Sequence, residues 1–324
     1  MAEWLVEQGI GEHRAIRLSG ERITHARIQL LETLRAGTVL EAKLVSRNAG
    51  SSRGLVRSDT GQDIVVDRLP KSASEGALLR IAIHRAPIAE RGRLKLAQGR
   101  PTDAEPCQPS LADSLASSGD SVRIVRRFPV CDWDELLGEA LELKTEFAGG
   151  SLLFAPTPAL TAIDVDGALS PQMLAKVGVP ALADALQRFD IGGSIAVDFP
   201  TLADKADRKA LDEALERALE SWPHERTAIN GFGLVQIVAR LERPSLLQLA
   251  SWQRGQMVWH RLLRRAEGLN GAGIIELAIA PALKAFTKPE DTEELARRSG
   301  LRVRLREDTG LAFTAPHAQL VVDG

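Results

Sequence analysis

Three features of the sequence predict a mixed α/β protein. Apolar runs of strand character at residues 159–166 and 192–199 alternate with helical stretches. Between residues 37 and 100, four or five short strands are separated by polar turns. From Pro244 onward the pattern changes to helices, one continuously apolar strand and two closing strands. Strand, helix, strand, helix implies a core with some parallel pairing. The crowded short strands imply a small closed barrel of the OB type. The last stretch reads as a separate α+β unit.

Composition narrows the function classes. The chain has 324 residues, 44% hydrophobic and 26% charged, enough for two or three domains. A formal net charge of −2 and a pI near 6.3 exclude a whole-protein basic field, so any site for a polyanion must be a local patch. The acidic start, Met1-Ala-Glu-Trp-Leu-Val-Glu, lacks the regions of a signal peptide. No run approaches the roughly 18 apolar residues of a membrane span. Cys107 and Cys131 form no CxxC pair and the six histidines are scattered, which gives no zinc constellation. A reduced, cytoplasmic protein without membrane contact is expected.

Taken in order, residues 4–30 alternate around Ser19-Gly20-Glu21 and predict a hairpin, with Arg14, Arg17, Arg22 and Arg27 on solvated faces. The barrel strands are expected at 39–45, 55–56, 63–67 and 77–84. They end in Glu90-Arg-Gly-Arg-Leu-Lys95, whose Arg91, Arg93 and Lys95 are either a phosphate contact or a solvated tail. Residues 101–121, rich in Pro, Ser, Asp, Gly and Ala, read as a linker. A helix begins at Asp132 and is stopped by Gly149-Gly150. Helices follow over 171–189, interrupted near Pro180, and over 203–222, with Arg208 and Lys209 near its start. Phe232 lies between glycines in a turn, either a stacking platform or a packing residue. Trp252 and Trp259, seven apart, share one helix face and suit a core or a subunit interface.

The carboxylates at the strand ends carry the chemistry. Asp164, Asp166 and Asp198 close short apolar strands, where open α/β folds place their ligands. Two converging carboxylates with room for water suit Mg²⁺. By spacing alone, capping of the following helices is the more frequent use of such residues.

The blocks Gly149-Gly-Ser-Leu-Leu, Ala159-Leu-Thr-Ala-Ile-Asp164, Gly192-Gly-Ser-Ile-Ala-Val-Asp198-Phe199, Phe232-Gly-Leu and Arg243-Pro-Ser-Leu246 occur in the order and at the spacing of a known family. The sequence resembles the bacterial ribonuclease E/G endoribonucleases over most of its length. The resemblance implies an RNase H-like and DNase I-like core with an inserted OB-type barrel and a C-terminal α+β small domain. The corresponding boundaries are 1–36 for the first core strands, 37–100 for the barrel, 101–121 for the linker, 122–243 for the catalytic core and 244–324 for the small domain. It also implies hydrolysis of single-stranded RNA to 5′-phosphate ends in RNA processing or decay. Asp164 and Asp198 would be the Mg²⁺ ligands, with Arg208, Lys209 and Phe232 on the RNA.

Departures from the family pattern bear on activity. Asp166 replaces the family's usual Asn and is either a third metal ligand or a repulsive neighbour. Thr201 replaces a common acidic residue. Leu55 and Ile64 stand near the places of base-stacking aromatics in the barrel. The short linker replaces the segment that senses 5′-monophosphate in larger members. Leu247-Gln-Leu-Ala-Ser-Trp252 replaces the CxxC-type zinc link, so no structural zinc is expected, and any homo-oligomer would use a zinc-independent interface. The alternative is a non-catalytic RNA-binding or regulatory paralogue.

Overall fold

A computed structural model describes residues 3–322. Its N-terminal strands β1 (Trp4–Gln8), β2 (Glu12–Ser19) and β3 (Arg22–Leu30) form an antiparallel meander. Strands β4 (Val39–Arg47), β5 (Gly54–Ser58), β6 (Asp63–Val66), β7 (Leu78–Arg85) and β10 (Ala97–Pro101) close a five-stranded barrel in the order β10-β6-β5-β4-β7. Between the last two runs a two-stranded hairpin, β8 (Ile88–Glu90) and β9 (Arg93–Lys95), stands apart from the barrel wall. The barrel has its own core, built on Leu44, Val56, Ile64, Val66 and Ile81. Ile64 is fully buried in that core, so it offers RNA no contact, and Leu55 is half-buried.

Within residues 101–121, where only a linker is expected, a short helix α1 (Leu111–Ser117) forms behind a capping box of Ser110 and Asp113. Its Leu111 and Leu115 pack on Trp4, Val6 and Ala15, covering the outer face of the first sheet. Two apolar residues four apart suffice here because a prepared apolar surface awaits them. Strand β11 (Val122–Val125) then pairs in parallel with β1, giving the order β11-β1-β2-β3.

Helix α2 (Trp133–Glu142) ends at a left-handed Leu143, earlier than expected, and Gly149 instead sits in the turn between β12 (Lys144–Phe147) and β13 (Gly150–Pro156). Strand β14 (Thr161–Gly167), helix α3 (Pro171–Arg188), strand β15 (Gly193–Asp198), helix α4 (Lys205–Leu219) and strands β16 (His224–Arg226) and β17 (Leu234–Ala239) complete a six-stranded sheet, β12-β13-β14-β15-β17-β16. Only the β14–β15 pair is parallel; the other neighbours are antiparallel. Helix α3 is continuous through Pro180. Pro180 is exposed, so the carbonyl freed by its missing N–H faces water and the helix is not forced to break.

One face of this sheet, with Leu152, Ile163, Val165, Ile195, Val197 and Val235, is buried against Leu174, Leu182, Leu211 and Leu215 of α3 and α4. The opposite face carries Leu153, Asp164, Asp166, Asp198, Gln236 and Val238, all exposed. The two-residue period of a strand thus separates a dry face from a wet one.

The chain closes with α5 (Leu246–Trp252), α6 (Arg254–Ala266), β18 (Ile274–Ile279), α7 (Pro289–Ser299), β19 (Arg302–Glu307) and β20 (His317–Val321), the strands ordered β19-β18-β20. Trp252 and Trp259 lie on different helices: Trp259 is buried with its indole N–H on Asp291 at 2.7 Å, and Trp252 is half-buried. The segment in the place of the zinc link is α5, capped by Ser245 and Gln248, with Leu247, Leu249 and Ala250 buried. Among the described residues no helix is long and apolar enough to cross a membrane.

Candidate active site

Strands β14 and β15 run in parallel with Asp164 directly opposite Asp198. Residues in register on neighbouring strands share a face, about 4.8 Å apart in the pairing direction. Both carboxylates are exposed on the uncovered face, and Asp166, two residues further along β14, shares it opposite Ser151 of β13. Capping does not account for them. Ser170 caps α3, accepting from the Met173 N–H, and Asp204 occupies the N-cap of α4.

Electrostatically the pair is strained. Partial desolvation at the sheet surface and then the like charges of Asp198 and Asp166 raise the Asp164 pKa, only partly opposed by the Val165 backbone N–H. Among the described residues no Lys, Arg or His forms an ion pair with Asp164, Asp166 or Asp198. A divalent cation would relieve this repulsion, and two adjacent oxygen donors with open solvent in front fit Mg²⁺, which retains waters and takes few protein ligands. The described residues contain no group of three or more His, Cys, Asp and Glu side chains placed to hold a metal. Asp166 adds a further negative charge beside the facing pair.

The loop after Asp198 meets the turn before β17. Asn230 Oδ1 accepts from the backbone N–H groups of Phe232 and Leu234 at 2.9 and 3.1 Å, and the Thr201 hydroxyl donates to the Phe232 carbonyl at 3.3 Å. Gly233 has φ +96°, and a Cβ there would fall 2.1 Å from the Phe199 carbonyl oxygen, so no other residue fits this close approach. Leu234 pairs with Asp198, which fixes Phe232 at the rim of the carboxylate pair with 83% of its surface exposed.

The expected cationic contacts are placed less uniformly. Arg208 turns back on its own loop and donates to the carbonyls of Leu202 and Ala203. Lys209 is exposed, 3.8 Å from Glu213 on the same helix. In the β8–β9 hairpin, Arg93 and Lys95 hold buried Glu90 at 2.6 and 3.1 Å, while Arg91 is exposed at the tip. With three cations around one carboxylate, the hairpin keeps a net positive charge, and Arg91 and Arg93 are both exposed.

Arg14, expected on a solvated face, is 1% exposed. It donates to Glu12 at 2.5 Å and to Glu7 at 3.0 Å; Glu7 also accepts from Arg264 and the Phe128 N–H, and Glu12 pairs with His260 at 3.1 Å. Arg17 pairs with Asp120, Arg22 with Asp184 and Arg27 with Asp190. The signal present in the sequence was the pairing of an i, i+2 acid and base on β2 with His260 and Arg264 four apart on α6.

No curated protein matches the chain. The sequence model of the ribonuclease E/G family matches residues 104–240, a segment that contains β14, β15, both facing carboxylates and the Phe232 turn. Over that segment, less than half of the chain, the sequence is similar to the ribonuclease E/G family.

Proposed function

We propose that the protein is a Mg²⁺-dependent endoribonuclease that hydrolyses internal phosphodiester bonds of single-stranded RNA and leaves 5′-phosphate ends. The observation that carries this reading is the register of Asp164 on Asp198 across a parallel strand pair, exposed and without a cationic partner. Each carboxylate would hold the ion through an oxygen, leaving the remaining positions to water and phosphate. When bound, the ion supplies a lowered water pKa and neutralises charge at the scissile group. Phe232 offers its ring face to a base beside Asp198, a contact of about 1–3 kcal/mol in comparable sites. Lys209 and Arg91 are the cations free to meet phosphates, while Arg208 shapes its loop.

The same reading treats the first sheet as RNase H-like and the six-stranded sheet as DNase I-like, supported by the parallel β1–β11 pairing and the parallel β14–β15 pair. It places the activity in the cytoplasm, with any homo-oligomer joined without zinc. A second reading, a non-catalytic RNA-binding or regulatory paralogue, is favoured by Asp166, whose like charge raises the Asp164 pKa, and by Thr201, which serves the Phe232 turn.

One experiment separates the two. The purified protein is incubated with single-stranded A/U-rich RNA in Mg²⁺ or EDTA, beside Asp164→Asn and Asp198→Asn. Internal cleavage that needs Mg²⁺, leaves 5′-phosphates and falls at least about 100-fold in both variants is expected. Cleavage that persists in both variants would remove the metal-site assignment. RNA binding without cleavage in the unaltered protein would establish the paralogue.

A further inference from the structure

A cavity of about 590 Å³, lined by none of Asp164, Asp166 and Asp198, lies where the first sheet, the barrel, α1 and the segment after β17 meet. Its wall is cationic. Arg27 and Arg243 share Asp190, at 3.6 and 3.1 Å, and Arg240 and Arg243 share Glu242. Among the described residues Arg35 pairs with no carboxylate, and its guanidinium donates to the carbonyls of Pro109 and Leu31. The nearby Asp113 is committed to the capping box of α1. Arginines therefore outnumber the carboxylates free to balance them.

Wall residues also carry unmet polar atoms. Gln29 Oε1, Arg35 Nε and His84 Nε2 are shielded from solvent and lack a hydrogen-bond partner. Leu30, Ile83 and Leu249 supply an aliphatic floor. The volume exceeds what an inorganic anion fills and lies in the range of small-molecule sites.

We propose that this cavity binds a free organic phosphate of mononucleotide size, with the phosphate on the arginines around Arg35 and a heterocycle on the aliphatic floor within reach of Gln29 and His84. The proposal is independent of the reading of Asp164 and Asp198 and concerns binding alone.

Cys107 lines the same cavity and is exposed, whereas Cys131 is exposed elsewhere, so the two thiols provide a probe and an internal reference. Adenosine 5′-monophosphate, adenosine, inorganic phosphate and a 5′-phosphorylated trinucleotide are each tested by titration calorimetry and by the alkylation rate of the two cysteines. The mononucleotide is expected to bind and to slow Cys107 alkylation at least about fivefold with Cys131 unchanged, adenosine and phosphate to bind at least about tenfold more weakly, and Arg35→Gln, checked for an unaltered melting curve, to lose binding at least about tenfold. No binding or protection by the mononucleotide in the unaltered protein would overturn the site. Phosphate binding as tightly as the mononucleotide would overturn the ligand class, and equal protection by the trinucleotide would overturn the assignment to a free ligand.

Discussion

Glu12 lies inside the protein with Arg14 on one carboxylate oxygen and His260 on the other. Burial works to raise its pKa, yet Arg14 and the His260 contact hold it at about 2. The folded state therefore gives up this proton more readily than the unfolded chain. The stability so gained is complete above about pH 4.5 and is lost as pH falls towards 2. Glu12→Gln leaves Arg14 and His260 with half their partner and should cost about 3–5 kcal/mol at pH 7. Urea unfolding at pH 7 and at pH 3 tests the sign: the gap between the native protein and the variant must shrink at the lower pH, and an unchanged gap would contradict the assignment. These residues were hidden in the sequence for a physical reason. Arginine on an alternating strand ordinarily faces water, and the Glu7 that Arg14 shares is also held by Arg264, 257 residues further on. Asp164 and Asp198 were more legible, because a carboxylate ending an apolar strand has few places to go. What the sequence left open was whether they cap helices, and Ser170 and Asp204 answer that.

At the scale of elements, period and composition located the strands well and misjudged the interruptions. A proline within an apolar 3.6-residue pattern reads as a break, yet α3 runs unbroken over 18 residues because Pro180 points to solvent while Leu182 and Leu186 stay in the core. The helix still carries the lost hydrogen bond. Pro180→Ala should raise stability by about 1–3 kcal/mol with the fold unchanged. A rise in the urea midpoint at constant slope is the result to look for, and a fall would mean that the ring's packing outweighs the missing bond. The converse misreading occurred at α1, where a polar, proline-flanked stretch looked structureless. Its seven residues fold because Ser110 caps them and Trp4 and Val6 receive Leu111 and Leu115. Tertiary surface, which no local pattern records, decides short elements of this kind.

For the whole molecule, the predicted mixed α/β class and the inserted barrel correspond to what folds, and the barrel's separate core explains why its strands could be recognised without the rest. The pairing of β11 with β1 across the entire barrel insertion was not legible, since nothing local marks two strands as neighbours when Val125 lies 118 positions beyond its partner Glu7. The six-stranded sheet, meanwhile, has helices on one side only, and Asp164 and Asp198 stand on the bare side. Such a surface has no tunnel through which a polymer must be threaded. A strand can settle on it anywhere along its length, and loops are as accessible as ends. On the proposed activity, a covalently closed RNA ring should be opened at a rate within about threefold of its linear counterpart, each cut costing the same local desolvation. Gel analysis of matched circular and linear substrates reads this directly, and a ring left intact would mean that the chain's free ends, not its topology-blind middle, are what this surface grips.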